Sequence, residues 1–194
     1  PEESRVFMTF LLTMPGVPFI HYGDEIGMRS VENLPSVEGS LPERSCTRTP
    51  MQWENEPSAG FSTAAPEKLY LPVYLDDGRL TVAEQEKDAG SNLNFNRNLI
   101  RLRHEFPALG NGGDWKVVSD IDTPYPMVYT RSDGKNTFIV ALNPRRESAK
   151  TEIILPGAVH LTELSAVGKT KARVKNGKIA LDMGGISARI FKVE

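Results

Sequence analysis

The sequence contains little cysteine and little histidine. Among its 194 residues there is one cysteine, Cys46, and there are three widely spaced histidines, His21, His104 and His160. A single cysteine excludes an internal disulfide framework and a cysteine-based metal cluster. Because the histidines also lack metal-ligand spacing, we expect neither a metal site nor a cofactor.

The sequence also lacks an excess of one charge and a long uninterrupted hydrophobic run. It has 23 Lys and Arg against 25 Asp and Glu, with both signs mixed along the chain. A nucleic-acid-binding protein needs a concentrated basic face, so no nucleic-acid partner is expected. The most apolar stretch, 6–22, is broken by Pro15, Gly16 and Pro18 and is shorter than the ~20 residues of a membrane-spanning helix. We therefore expect no membrane partner.

The N-terminal residues indicate a helix followed by a strand. Two acidic residues come first, and apolar residues then recur at helical spacing up to Met14, where Pro15-Gly16 ends the helix. The apolar run 17–22, closed by Gly23, is typical of a buried strand in a parallel sheet. We also expect the side chains of His21 and Tyr22 to lie in the core.

The middle of the sequence is an extended region with weak periodicity. From about 30 to 90, prolines recur every six to nine residues, which predicts a long loop with a short helix near 82–88. Apolar side chains could anchor this loop: Met51, Trp53, Phe61, Leu69, Tyr70, Leu71, Val73 and Tyr74. A clear amphipathic helix follows over 91–106 and is stopped by Pro107 and Gly110.

The C-terminal part has the alternation typical of short β-strands. Turn signals occur at 132–135 and at Asn176-Gly177. The predicted strands are 115–119, 127–131, 137–142, 151–155, 160–164, 172–174, 178–181 and 188–193. Eight such strands predict a β-sandwich. We therefore divide the chain into domains at 1–110 and 111–194.

Two motifs carry a resemblance to a known family. The first is Gly16-Val17-Pro18-Phe19-Ile20-His21-Tyr22-Gly23-Asp24-Glu25-Ile26-Gly27-Met28, and the second is Arg48-Thr49-Pro50-Met51-Gln52-Trp53 followed by Ala59-Gly60-Phe61-Ser62. Together they resemble the last part of glycoside hydrolase family 13, the α-amylase and α-glucosidase family that includes trehalose synthases. The resemblance implies an α+β composite: the C-terminal remnant of a (β/α)8 TIM barrel, with strand eight at the first motif, then an antiparallel Greek-key β-sandwich.

The same resemblance implies which chemistry is missing. The family is retaining and uses an Asp nucleophile, a Glu acid/base and a second Asp, all of which lie before the helix that opens this chain. None of these positions can be assigned here, so no catalytic residue is expected. A whole barrel needs roughly 200 to 250 residues, so six or seven strand-helix units are expected upstream. We expect the chain to be inactive alone and to meet an α-glucan or α-glucoside substrate only in a full-length enzyme.

Four residues are candidates for the site. Arg48 is the candidate for substrate binding, because a guanidinium can donate two hydrogen bonds to neighbouring hydroxyls; holding its own loop is the alternative. Asp24 and Glu25 follow the predicted strand at the mouth of a barrel, where a structural role joining loops is favoured. For Trp53, anchoring of the loop is favoured over stacking on a sugar.

Two further hypotheses concern partners. A free-standing carbohydrate-binding or interaction module would need exposed aromatics among Trp115, Tyr125, Tyr129, Phe138 and Phe191. In the other hypothesis, Val6, Phe7, Phe10 and Leu11 are exposed because their barrel neighbours are missing, and homodimerisation covers them.

Overall fold

The computed structural model describes residues 2–34, 42–74 and 80–194. These residues form two compact units, one made of 1–18 and 96–194 and the other of 19–95. The first unit thus combines the N-terminal helix with the C-terminal strands. The domain division at 110 and 111 stays a prediction.

The first unit begins with the expected helix, α1 (Glu2–Thr13), whose two first-turn acids suit the positive end of the helix dipole. One face of α1 is buried and packs against strands of the C-terminal sheet. Val6 belongs to this buried face at 5% exposure, so its predicted exposure is wrong. Phe7, on the opposite side, is 58% exposed as expected, while Phe10 and Leu11 are half-buried.

All eight predicted strands are present, and every pairing is antiparallel. A five-stranded sheet has the order β1-β2-β3-β8-β5, and a three-stranded sheet has the order β4-β7-β6. The strands are β1 (Asp114–Val117), β2 (Met127–Ser132), β3 (Thr137–Asn143), β4 (Ala149–Ile154), β5 (Leu161–Val167), β6 (Thr170–Lys175), β7 (Lys178–Met183) and β8 (Ser187–Val193).

The turn between β2 and β3 is closed by an aspartate side chain. Asp133 Oδ1 accepts hydrogen bonds from the backbone N–H of Asn136 at 2.7 Å and of Lys135 at 3.0 Å. These bonds, from Asn136 first and then Lys135, hold the pKa of Asp133 below its ordinary value because they favour the charged carboxylate. The hairpin turn that the sequence predicts at 132–135 is therefore present, and the side chain of its aspartate closes it.

The two sheets share one apolar core. Val128, Ile139 and Phe191 come from the five-stranded sheet, and Ile179 and Leu181 come from β7 of the other sheet. On β7 the buried residues alternate with exposed ones, as expected for a strand with one face in a core. The architecture is consistent with a β-sandwich.

A buried arginine, Arg131, fastens the end of α1 to the sheet. Its side chain is 0% exposed and donates hydrogen bonds to the carbonyls of Thr13, Gly110, Gly113 and Asp114, with the last two at 3.1 and 3.2 Å. A cation at a helix C-terminus is favourable because the last carbonyls carry partial negative charge. This role of Arg131 was not predicted from the sequence.

A second arginine, Arg103, binds the same helix end. Its Nη1 donates to the carbonyls of Leu12, Met14 and Leu109 at 2.9, 2.8 and 2.8 Å. Burial first, and then the charge of Arg103, lower the pKa of Arg131. Both guanidiniums donate hydrogen bonds to carbonyl oxygens, and these bonds offset the repulsion between the two positive charges.

The second unit contains the short helices α2 (Pro42–Cys46) and α3 (Val82–Lys87) and the first turn of α4 (Asn92–Glu105). Its core is formed by Ile26, Met51 and Leu93. The buried Gln85 of α3 donates to the carbonyl of Ile26 at 2.7 Å and accepts from the N–H of Leu93 at 3.0 Å. One amide thus connects three separate segments, and the predicted helix at 82–88 is confirmed.

The buried strand predicted at 17–22 is wrong. These residues form no strand, and Val17, Phe19 and Tyr22 are 73%, 87% and 42% exposed. His21 is exposed too, so neither aromatic ring at 21 and 22 belongs to a core. A parallel strand is held by hydrogen bonds to its neighbours, and within the described residues no strand pairs with this segment.

Across the described parts of the chain, no helix combines the length and hydropathy needed to cross a membrane.

Candidate functional site

The second unit contains a cavity of about 410 Å³ that gathers most of the predicted site residues. Arg48, Glu25 and Trp53 lie along it, whereas Asp24 does not. The full lining is Tyr22, Glu25, Arg48, Pro50, Met51, Trp53, Phe61, Leu69, Tyr70 and Leu71.

Two glycines set the direction of the acidic pair. Asp24 and Glu25 begin a short 3-10 helix that runs from Asp24 to Ile26, between Gly23 at φ 93° and Gly27 at φ 69°. Only glycine adopts such positive φ values at low cost. Glu25 Oε2 accepts a hydrogen bond from the Gly23 N–H at 2.6 Å, while Asp24 is exposed. The carboxylates therefore diverge, as expected for adjacent residues, and one of them reaches the cavity.

Tyr22 and Arg48 form the polar side of the cavity. The Tyr22 hydroxyl donates a hydrogen bond to the Thr49 carbonyl at 3.1 Å. Burial raises the pKa of Tyr22, and the positive charge of Arg48 partly opposes that rise. The phenol is therefore neutral at physiological pH, and Arg48 remains exposed beside it.

The loop that follows Arg48 is held by buried residues and by its backbone. Met51 is 5% exposed and belongs to the core of this unit. The Gln52 carbonyl accepts from the N–H of Val82, and the Trp53 carbonyl accepts from the N–H of Ala83, each at 3.0 Å. Anchoring is therefore carried by Met51 and by the main chain of Gln52 and Trp53.

Three aromatic side chains form a second side of the cavity, here called the aromatic wall: Trp53, Phe61 and Tyr70. They are 47%, 53% and 62% exposed. Phe61 and Tyr70 are thus more exposed than fully packed anchors of the loop would be. Their rings border the cavity and are not sequestered in the core, which residues such as Met51 fill.

This combination of groups suits a polyhydroxylated ligand. A guanidinium, a carboxylate and a phenol can bond hydroxyl groups, while aromatic faces accept apolar C–H groups. Retaining glycoside hydrolysis needs two carboxyls about 5 to 5.5 Å apart, and Glu25 is the one carboxylate in the described lining. Nor do the described segments place three His, Cys, Asp or Glu residues together in a metal-binding group.

The aromatic residues of the C-terminal strands do not form a platform. Tyr129, Phe138 and Phe191 are 0%, 0% and 5% exposed, so they belong to the interior. Trp115 and Tyr125 are 40% and 39% exposed. The alternative of a free-standing carbohydrate-binding module therefore has little to support it among the aromatics that it needs.

Sequence reasoning identified Arg48 and Glu25 but missed Tyr22, Phe61 and Tyr70 as cavity residues. The available signal was the density of aromatic residues on the loop after Arg48. Aromatic residues are equally common in cores, so their composition alone did not distinguish a cavity wall from an anchor.

Comparisons with known proteins agree with these motifs. A family model described as the catalytic domain of alpha amylase matches residues 2–112. The trehalose synthase/amylase TreS of Mycobacterium tuberculosis is 32% identical over 174 residues, covering 86% of this chain and 28% of TreS. The oligo-1,6-glucosidase of Parageobacillus thermoglucosidasius is 29% identical over 170 residues, covering 73% of this chain and 29% of that enzyme.

Solved structures give the same result. The crystal structure of the trehalulose synthase MutB from Pseudomonas mesoacidophila superposes with a TM-score of 0.76 at 27% identity, covering 100% of this chain and 38% of MutB. The chain thus spans less than two fifths of the length of the relatives described here. The chain belongs to the α-amylase family, glycoside hydrolase family 13.

Proposed function

We propose that this chain is the C-terminal part of an α-glucan- or α-glucoside-active enzyme with a retaining mechanism, and that its cavity contributes Arg48 to the binding of the sugar. The observation that carries this proposal is that Arg48, Glu25 and Tyr22 line the same cavity as the three residues of the aromatic wall. A MutB mutant, in the same family, has been solved in complex with glucose, which supports a sugar as the ligand class.

The finer fold assignment is part of the proposal. Residues 17–22, within the first motif, form barrel strand eight in the complete enzyme, and residues 111–194 form a Greek-key β-sandwich. The exposure of Val17 and Phe19 supports the first assignment, since an apolar strand loses its partners when the rest of a barrel is absent. The shared core of the two sheets supports the second.

The 194-residue chain alone has no glycosidase activity in this proposal, because it lacks the family's catalytic acids. The test is turnover of maltose and of a nitrophenyl α-glucoside by the purified chain. We expect release of glucose or nitrophenol at the rate of buffer alone. Turnover that scales with protein concentration would contradict the assignment of the catalytic groups to other residues of the enzyme.

Sugar binding by the cavity is tested separately, by calorimetric titration of the chain with maltose. Replacing Arg48→Gln removes a charged hydrogen-bond donor, worth about 1.5 to 3 kcal/mol, so the Kd rises by roughly tenfold or more. Arg173→Gln is the matched control, since Arg173 is an exposed arginine on β6, away from this cavity. Equal Kd values for Arg48→Gln and the parent chain would refute the role of Arg48.

We also propose that exposed apolar side chains near the N-terminus drive homodimerisation of the isolated chain. Phe7 and Val17 carry this surface at 58% and 73% exposure. Light scattering over a range of protein concentrations tests it, with an increase in mass expected on concentration. Phe7→Ser together with Val17→Ser restores a monomer, whereas a parent chain that is monomeric at every concentration rules out the dimer.

A further inference from the structure

The loop around Trp53 is held by its backbone and by buried neighbours. The Trp53 backbone donates to the Ala59 carbonyl at 2.9 Å and accepts from the Ala83 N–H at 3.0 Å. The buried Met51 and Gln52, at 5% and 1% exposure, fix the preceding residues. The loop is thus anchored on both sides of Trp53 by groups other than the indole.

A tight turn follows Trp53 along the chain. The loop turns back at Ala59 and Gly60, which have φ values of 55° and 65°. A Cβ on Gly60 would lie 2.9 Å from Glu54 Cγ and 3.3 Å from Trp53 Cβ. Ala59 is a non-glycine residue with a positive φ, so the backbone is strained at this turn. The strained turn brings Phe61 to the same cavity wall as Trp53.

The wall and the polar side of the cavity are complementary in chemistry. The indole of Trp53 is 47% exposed and borders the same cavity as Arg48 and Glu25. A pyranose ring presents hydroxyl groups at its edge and C–H groups on its faces, so it can bond the polar side while its face covers an aromatic ring. The cavity volume of about 410 Å³ lies within the usual range of small-molecule sites.

From these observations we infer that Trp53 is a specificity-determining residue: its indole is the surface on which a pyranose ring of the substrate stacks. This inference rests on the proposed sugar-binding function of the cavity. The Trp53 indole favours the binding of ring-form sugars, which have an apolar face, over open-chain polyols that carry the same hydroxyl groups. Trp53 makes no covalent contribution and takes no part in proton transfer.

The test compares maltose with glucitol, an open-chain polyol, on the purified 194-residue chain. The variants are Trp53→Ala, Trp53→Phe and the matched control Trp115→Ala, which removes the other half-exposed tryptophan. An aromatic contact contributes about 0.5 to 1.5 kcal/mol, so Trp53→Ala weakens maltose binding about threefold to tenfold. Trp53→Phe keeps an aromatic face and stays within about twofold of the parent chain. Trp115→Ala leaves the Kd unchanged.

Glucitol binding and saturation-transfer NMR separate stacking from an indirect effect on the loop. Irradiation of the aromatic protons transfers saturation to the C–H groups of bound maltose in the parent chain, and Trp53→Ala removes most of that transfer. Trp53→Ala leaves the weak binding of glucitol unchanged. An equal loss for maltose and glucitol means that the indole acts through the loop, and it overturns the inference.

The remaining outcomes distinguish this inference from the proposed function. Maltose binding that is unaffected by Trp53→Ala but lost with Arg48→Gln overturns stacking and leaves the sugar-binding cavity in place. A parent chain that binds no maltose at concentrations on the order of 10 to 100 mM overturns both.

Discussion

Replacing Arg131 by methionine tests the idea that a buried guanidinium fastens α1 to the five-stranded sheet. Methionine keeps an unbranched apolar stem but removes every donor. The change leaves four carbonyl oxygens without their partner: those of Thr13, Gly110, Gly113 and Asp114. Water can reach Asp114, which is exposed, but Thr13 is 2% exposed and its carbonyl loses its bond to Arg131 without access to solvent.

The expected loss in the free energy of unfolding depends on how exposed each of the four carbonyl groups is. A buried acceptor left unsatisfied costs about 1 to 3 kcal/mol, and each bond exchanged for water costs about 0.5 to 1.5 kcal/mol. Arg131→Met also removes the energetic cost of burying the guanidinium charge, and this gain offsets part of the loss. We therefore expect Arg131→Met to lower the free energy of unfolding by about 2 to 4 kcal/mol. For a chain of this length that corresponds to a fall in Tm of roughly 4 to 15 °C.

Urea unfolding followed by Trp115 fluorescence measures the effect in the first unit. Trp115 lies 6.2 Å from Tyr129 between ring centroids, and a Trp53→Phe background removes the other tryptophan. Arg131→Lys keeps the charge but offers a single ammonium group, so an intermediate loss is expected. Arg173→Met, an exposed arginine, stays within about 0.5 kcal/mol of the parent. A loss below about 0.5 kcal/mol for Arg131→Met would show that the four hydrogen bonds do not stabilise the fold.

Three more predictions concern pH and backbone conformation. Burial raises the pKa of Tyr129 in the folded state. Its contribution to the free energy of unfolding is therefore complete below the unfolded pKa of about 10 and is lost at higher pH. Tyr129→Phe removes this loss of stability in urea titrations at alkaline pH. The hydrogen bonds of the turn lower the pKa of Asp133. Its contribution to stability is therefore present above about pH 4 and is lost on acidification. Asp133→Ala removes this acid-dependent fall in Tm. Gly27→Ala places a Cβ 2.5 Å from Asn92 Nδ2 at φ 69° and costs more than the about 1 to 2 kcal/mol of conformational strain alone. Gly134→Ala, at φ 81° with nothing within 4 Å, measures that strain without a clash, and equal Tm losses for the two variants would refute the contact.

Much of the first unit could be predicted because its signals are local. The alternation in β7 places Ile179 and Leu181 in the core, and the turn chemistry at Asp133 closes a hairpin. Spacing also predicted the helices α1 and α4, although it predicted exposure for Val6, which is buried. Which face of a helix is covered depends on what lies beside it, and that information is not local.

The candidate site divides in the same way. Arg48 and Glu25 were found because they occur in motifs whose spacing resembles a family. The aromatic wall was not found, because a ring on a loop has the same composition whether it fills a core or borders a cavity. The segment 17–22 has the composition of a buried strand and is exposed, since a strand is defined by its partners.

The family, the eight strands and the candidate residues for sugar binding could be read from the amino-acid sequence, because periodicity, turns and motif spacing depend on neighbours along the chain. The contacts of Arg103 and Arg131 with the end of α1, and the shared cavity of Arg48, Glu25 and Trp53, became visible in the folded chain alone. Those contacts join residues that are tens of positions apart. Their geometry follows from packing and from the hydrogen bonds that buried polar groups require.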